Sequence, residues 1–220
     1  MRTQNEVQKD ERILLMVTNL STGGALKFQK VYEWLDKNAV QLARMLLTDH
    51  YRQIDVLSDA AVTSGNFVER LVSLAQMPGI RAIDVYLGIH GLPGQLLFDD
   101  GLFASAEIGD RIRVAELSGR LRLLYSTACY GASHARDFVA AGFRTASGAR
   151  GVNANGLYDC PAQFYHWGKG DTYRTTVKAG NNPIGIATAD FLTAQLGFDD
   201  VNSEKIVEGR VLTRITTAAD

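Results

Sequence analysis

Two residues with reactive side chains each follow an apolar run of the chain. His90 comes directly after residues 82–89, and Cys129 comes shortly after residues 121–127. A cysteine thiolate attacks carbonyl carbons, and an imidazole accepts and returns the proton. In open α/β sheets, functional sites form at the carboxyl ends of the strands. If these two runs are neighbouring strands, we expect Cys129 to act as nucleophile and His90 as its proton acceptor.

The residues beside this pair could stabilise the charge that such an attack creates. Glycine at position 91 permits close approach of the backbone, so the amides of Gly91 and Cys129 are a predicted oxyanion hole. A helix is predicted to begin near Ser133. Its dipole and a nearby imidazolium would lower the pKa of the Cys129 thiol and raise the thiolate fraction.

The elements that must position these residues alternate between strand and helix patterns. Short apolar runs and the turn chemistry of Asp100-Gly101 indicate strands and one hairpin, whereas apolar residues spaced by three or four indicate helices. This alternation predicts an α/β fold with a mostly parallel sheet. The predicted strands are residues 13–17, 54–57, 82–89, 121–127, 143–147 and 206–215, the hairpin is 96–103, and the predicted helices include 28–46, 67–75, 104–117 and 134–141.

Composition sets limits on the class of protein. Of the 220 residues, 46% are hydrophobic and 21% are charged, and the net charge is -1. These values are typical of one globular domain spanning residues 1–220, and the absence of a basic cluster argues against nucleic-acid or membrane binding. The two cysteines are too few for a disulfide framework. We therefore expect a cytoplasmic protein with free thiols.

Two segments resemble the catalytic blocks of the caspase-like cysteine peptidases. They are DVYLGIHG at residues 84–91 and LLYSTACYG at residues 123–131. The resemblance extends loosely over residues 82–182 and is greatest to bacterial CHAT-type domains, through Asp100-Gly101 and Ala140-Ala141-Gly142. It implies a three-layer α-β-α fold with a mostly parallel central sheet of about six strands. It also implies a His-Cys dyad, an acyl-enzyme intermediate, no cofactor, and an oxyanion role for Gly91.

The same resemblance bears on the substrate, which would be a protein or a peptide. Clostripain-type relatives carry an aspartate two residues before the cysteine to bind a basic side chain, and this chain has Thr127 there. The substitution weakens a preference for arginine or lysine. Arg150 falls roughly where caspases present an arginine to an acidic side chain, and guanidinium binds carboxylate well. Arg150 is therefore a predicted substrate-binding residue, while a regulatory protein partner and the oligomeric state stay open.

Other chemical residues have simpler interpretations. Cys160 precedes a proline and has no counterpart in the family, so we expect a structural role. A zinc site that joins Cys160 and His166 to the predicted dyad lacks the short ligand spacing of structural zinc sites, and no metal is expected. His50 and His134 are expected at the surface or at helix ends. Asp84 is expected to pair with another group rather than to titrate in catalysis.

Two alternative functions remain at this point. A caspase-like scaffold that has lost activity could serve as a protein-binding module, although the presence of both dyad residues argues against it. A flavodoxin-like ligand-binding domain is the other alternative. The loop Ser21-Thr22-Gly23-Gly24 has neither the lysine of a phosphate-binding P-loop nor a dinucleotide glycine pattern, which argues against that alternative.

Overall fold

A computed structural model describes residues 6–220 of the chain, and its helices and strands alternate as the sequence predicts. The strands are β1 (Arg12–Thr18), β2 (Gln53–Ser58), β3 (Ala82–Gly88), β4 (His90–Leu92), β5 (Gln95–Phe98), β6 (Gly101–Ala104), β7 (Leu121–Ser126), β8 (Thr145–Ala149) and β9 (Lys205–Gly209). The helices are α1 (Gln29–Leu47), α2 (Ser64–Ala75), α3 (Ser105–Val114), α4 (Gly131–Ala140), α5 (Gly156–Gly168), α6 (Tyr173–Gly180) and α7 (Pro183–Gln195).

Six of the strands form a central sheet in the order β2-β1-β3-β7-β8-β9. All neighbouring pairs are parallel except β8 and β9, which are antiparallel. Every residue of β1, β3 and β7 is buried, as expected for strands covered on both faces. The predicted α/β fold with a mostly parallel sheet of six strands is therefore confirmed.

Helices cover both faces of this sheet and make it the middle of three layers. On one face the core includes side chains of α2, α3 and α4, such as Phe67, Ile108 and Phe138. On the other face it includes side chains of α1, α5 and α6, with Leu47 and Phe164 among them. Two apolar cores therefore hold the sheet rigidly, and its carboxyl edge is a firm base for a site.

A buried ion pair joins two of the central strands below that edge. The guanidinium of Arg122 on β7 donates to both carboxylate oxygens of Asp84 on β3, from Nε at 2.8 Å and from Nη2 at 2.7 Å. Tyr51 and Trp167 also donate to Asp84. The prediction that Asp84 pairs rather than titrates in catalysis agrees with these contacts, because a buried carboxylate needs such partners.

The hairpin predicted at residues 96–103 is confirmed and is part of a second, three-stranded sheet of β4, β5 and β6. His90 is consequently the first residue of β4 rather than the end of β3. The last strand is shorter than predicted, because Gly209 has a φ of 80° and turns the chain at the end of β9. Within residues 6–220, no helix combines the length and apolar character needed to span a bilayer.

Candidate active site

The topology brings the two predicted reactive residues to the same edge of the sheet. β3 and β7 are adjacent and parallel, and their carboxyl ends lead to His90 and Cys129. Both side chains line one cleft with a volume of about 290 Å³. Its volume is roughly at the lower limit of ligand-binding pockets, and a second pocket around Leu14 and Tyr51 holds only about 20 Å³. The two residues that the sequence pairs thus line one cleft.

A backbone carbonyl fixes the orientation of the His90 ring. His90 Nε2 lies 2.8 Å from the carbonyl oxygen of Leu20, and because that oxygen only accepts, Nε2 carries the proton. In the neutral ring the lone pair is then on Nδ1. The ring of Tyr32 packs edge-on against His90 at a centroid distance of 5.0 Å. Burial lowers the pKa of His90, so the ring is held as a neutral base near pH 7.

The loop after β1 supplies this carbonyl, and the sequence analysis did not assign it a role in the site. Asp36 on α1 accepts a hydrogen bond from the Leu20 amide at 2.9 Å, which fixes the peptide that orients His90. A Cβ at Gly24 would lie 2.9 Å from His90 Nε2, so the loop needs glycine to pass this closely. The glycine pair in Ser21-Thr22-Gly23-Gly24 was the signal that could have located it.

A sharp turn presents Cys129 just before a helix. Tyr130 adopts the left-handed conformation, with a φ of 56°, and α4 begins at the next residue. A Cβ at Gly131 would lie 2.8 Å from Gly148 Cα, so α4 packs directly on β8. This close packing fixes the turn between β7 and α4, and Cys129 lies within that turn. Strained residues of this kind cluster at functional sites.

The surroundings of Cys129 correct one prediction. The amide of Asn153 donates to Cys129 Sγ at 3.4 Å, and this contact together with the charge of Lys205 favours the thiolate. Burial has the opposite and larger effect and raises the pKa of the Cys129 thiol. The predicted lowering of its pKa by the helix dipole and an imidazolium is therefore wrong for the resting site. Burial outweighs the Asn153 amide and the Lys205 charge, and the lowered pKa of His90 favours its neutral form.

Gly91 lies directly against the backbone of Cys129. A Cβ at position 91 would be 2.6 Å from the Cys129 carbonyl oxygen and 2.9 Å from Cε1 of His134. His134 lies in the first turn of α4, as a helix-end position predicts, but not at the surface: its side chain is buried and Nε2 contacts the Leu92 carbonyl at 2.8 Å. His134 therefore holds β4, which carries Gly91, close to the turn at Cys129.

A buried chain of polar contacts supports the turn from behind. Asn153 donates from Nδ2 to the Thr127 carbonyl at 2.8 Å and accepts from Lys205 Nζ at 3.1 Å. Lys205 in turn pairs with Asp159 at 2.7 Å, and both side chains are fully buried. Asn153 and Lys205 could not be predicted from the sequence, because a single Asn and a single Lys in separate segments form no motif.

The two predicted substrate-binding residues occupy different positions. Thr127 lines the cleft, and its hydroxyl lies 3.4 Å from the Tyr86 hydroxyl. Arg150 is not one of the described residues that line the cleft. Its Nε donates to Glu204 at 3.0 Å. About half of each side chain in this ion pair is exposed. The guanidinium is thus engaged away from Cys129, and the geometry gives the predicted role of Arg150 no support.

The remaining cysteine and histidine have structural surroundings. Cys160 is buried on α5, and its Sγ lies 3.3 Å from the Tyr125 hydroxyl. Burial raises the pKa of the Cys160 thiol to about 11. His166 pairs with Asp171 at 2.7 Å. Across residues 6–220, no three His, Cys, Asp or Glu side chains are grouped to hold a metal ion.

The three layers and the mostly parallel six-stranded sheet define the caspase-like α/β fold. The structure is similar to the crystal structure of caspase-1 from Spodoptera frugiperda, with a TM-score of 0.65 over 97% of this chain and 93% of that chain. Sequence identity in that comparison is 12%, so the likeness is one of fold. No protein-family model and no curated protein sequence matches the chain.

Proposed function

We propose that this chain is a cysteine endopeptidase that hydrolyses peptide bonds through Cys129 and His90. One observation carries the proposal: both side chains line a single cleft at the carboxyl edge of two adjacent parallel strands. A fold similar to that of a caspase supports the same chemistry. The likeness to CHAT-type domains and a cytoplasmic location stay predictions from the sequence.

The raised pKa of Cys129 and the lowered pKa of His90 favour a neutral resting pair. In the proposed first step, His90 Nδ1 accepts the thiol proton as Sγ forms a bond to the carbonyl carbon. The carbonyl electron pair moves onto oxygen, and the amides of Gly91 and Cys129 are the proposed donors to it. The thiol proton is thus transferred during attack on bound substrate and not in the resting site.

The second half of the cycle returns the site to its starting state. The tetrahedral intermediate expels the amine as the C–N bond breaks, and His90 gives it the proton. A water molecule then attacks the thioester while His90 accepts its proton, and the acid product leaves with the thiol restored. These steps need a protein or peptide substrate and no cofactor.

An active-site label tests the proposal directly. A peptidyl acyloxymethyl ketone alkylates a cysteine that can be activated by a neighbouring base, and intact mass with peptide mapping locates the adduct. We expect the adduct on Cys129. We expect His90→Ala to slow labelling by about 10²–10⁴-fold, because the general base is lost. His166→Ala, a histidine variant outside the cleft lining, is the matched control and should label at the original rate.

The inactive scaffold that binds proteins is the second candidate, and the raised pKa of the Cys129 thiol is the observation that favours it. A thiol without activation reacts equally slowly whether or not His90 is present. Equal labelling of His90→Ala and the unchanged protein would therefore overturn the peptidase and favour the binding module.

A further inference from the structure

The cleft that His90 and Cys129 line has mainly apolar walls. Its lining includes Trp34, Leu35, Leu157, Leu196 and Phe198. Within residues 6–220, no Asp, Glu, Lys or Arg side chain contributes to this lining. A side chain that enters the cleft from a substrate would therefore meet mainly hydrocarbon and aromatic surface.

Two charged residues, Asp36 and Lys205, have contacts with residues that line the cleft but are absent from the lining themselves. The Asp36 carboxylate accepts from the Leu20 amide, and its neighbours Leu35 and Asn38 line the cleft in its place. Lys205 is fully buried against Asp159 and also donates to Asn153. The Lys205 charge is therefore paired elsewhere, and the Asp36 carboxylate is absent from the cleft lining.

Two basic residues near the site are also directed to other partners. Arg150 pairs with Glu204 at 3.0 Å. Lys27 Nζ lies 4.9 Å from the centre of the Phe28 ring, which is itself a cleft residue. An acidic side chain would have to draw one of these groups out of its contact to be neutralised inside the cleft.

The floor of the cleft is closed by groups that satisfy one another. Cys160 Sγ lies 3.8 Å from the Tyr86 hydroxyl, which also lies 3.4 Å from the hydroxyl of Thr127. These three groups carry no charge near pH 7, so they offer no counter-ion to a charged head group. Burial of an unpaired charge is unfavourable, whereas burial of an apolar side chain against this lining is favourable.

The rim carries the surface that such a side chain would cover. Trp34, Leu157 and Leu196 are 52%, 47% and 54% exposed, although each borders the cleft. Large apolar side chains exposed around one concave site mark a binding surface. Because Cys129 lies in the same cleft, the part of a substrate nearest to it is the residue whose carbonyl carbon is attacked.

We infer that the cleft selects substrates with a bulky uncharged apolar side chain, aromatic or leucine-like, at the residue before the scissile bond. The inference rests on the proposed peptidase function and names its substrate class. It replaces the acidic preference predicted from Arg150, whose guanidinium pairs with Glu204 outside the cleft lining.

Two glycines offer a matched pair for testing the inference. Gly156 lines the cleft in the first turn of α5, and a Cβ placed there meets no atom within 4 Å. Gly65 occupies the first turn of α2 with equally open space, and it is absent from the cleft lining. A Cβ is accommodated at both positions, but only Gly156→Leu places its side chain at the cleft lining.

The experiment uses acyloxymethyl ketone probes that differ only in the side chain next to the reactive ketone: Phe, Leu, Ala, Asp or Arg. Second-order rates of Cys129 labelling are measured on the full chain by intact mass. We expect Phe and Leu probes to exceed Asp and Arg probes by about tenfold or more. Gly156→Leu should lower the Phe-to-Ala rate ratio by about tenfold, and Gly65→Leu should leave it unchanged.

The outcomes separate the inference from the proposed function. Labelling that is fastest with the Asp or the Arg probe overturns the apolar preference and leaves the peptidase standing. If Arg150→Ala then removes a fast Asp reaction, the acidic preference is correct. An unchanged Phe-to-Ala ratio in Gly156→Leu also overturns the inference. Failure of every probe to label Cys129, while iodoacetamide still modifies it, overturns the peptidase and the inference together.

Discussion

Cys129 and Cys160 line the same cleft and are influenced by the same lysine, yet their surroundings differ in two respects. Cys160 is 4% exposed within a helix and contacts tyrosine hydroxyls. Cys129 is partly exposed at a turn, in the cleft that His90 also lines. Burial raises the pKa of both thiols, so a low resting pKa does not distinguish them. Exposure and the position of Cys129 at the turn before α4 do.

The strongest way to break this comparison is to remove each sulfur in turn. Cys129→Ala should lower peptide hydrolysis by on the order of 10⁶-fold, because the nucleophile is lost. Cys160→Ala should keep activity within about threefold and lose modest stability from the cavity it leaves. Hydrolysis of a peptide with a bulky apolar residue before the scissile bond measures both. Activity that persists in Cys129→Ala would transfer the reaction to another group.

The pH dependence of alkylation sharpens the comparison. Only the thiolate reacts, and a pKa of about 11 leaves roughly one Cys160 thiol in a thousand ionised at pH 8. The rate at Cys129 should be much larger and should keep rising with pH above the range of an ordinary thiol, since burial raises its pKa. Iodoacetamide labelling read by peptide mass checks this. A Cys129 rate that is flat above pH 6 would instead indicate a resting thiolate-imidazolium pair.

Lys205 is the cation that both thiols share, and its removal tests whether it also holds the fold. Lys205→Met leaves Asp159 buried without its counter-ion, so the free energy of unfolding should fall by about 3–5 kcal/mol. Urea unfolding measures the loss, with exposed Lys178→Met as the control. Removing both charges, in Lys205→Met with Asp159→Leu, should cost less than the lysine alone. Strictly additive losses would contradict the pairing.

Asp36 gives the smallest expected effect, because it acts only on the Leu20 peptide that orients His90. Asp36→Ala frees the Leu20 peptide that orients His90 and should lower kcat/KM about tenfold. Asp36→Asn keeps an oxygen that accepts from the Leu20 amide and should restore most of that loss. A purely structural role would lower stability in Asp36→Ala without this recovery of activity by asparagine.

Asp36 also predicts how stability changes with pH. Burial raises its pKa from 3.8 to about 7, so between about pH 4 and 7 the folded state binds more protons than the unfolded state. Its contribution to the free energy of unfolding therefore decreases as pH rises through that range. Asp36→Asn should remove this decrease, and urea unfolding at pH 4.5 and 7.5 measures the difference.

The central strands could be predicted from the sequence because burial on both faces produces continuous apolar runs. The paired strand ends at residues 89 and 127 then located His90 and Cys129 in one place. Asp84 was also interpreted correctly, since a carboxylate inside an apolar run must have a partner. These features follow from the local composition of the chain, which a single sequence shows directly.

The rest of the site depends on contacts between distant segments. Leu20 acts through its backbone carbonyl, which no side-chain type reveals, and Lys205 contacts Asn153, whose amide donates to Cys129. The pKa of the Cys129 thiol was predicted in the wrong direction, because burial outweighs the Asn153 amide and the Lys205 charge. Arg150 was placed from a family position, while its partner Glu204 comes from a segment far along the chain.

The chain has two tryptophans, and their fluorescence can report two different changes: occupancy of the cleft and unfolding. Trp34 is half exposed on the rim of the cleft, whereas Trp167 is buried and donates to Asp84 and Tyr51. Covering of the rim should shift the emission of Trp34 to shorter wavelength, and loss of the core should shift that of Trp167 to longer wavelength. With Trp34→Phe as reference, one spectrum can report occupancy and unfolding as separate signals.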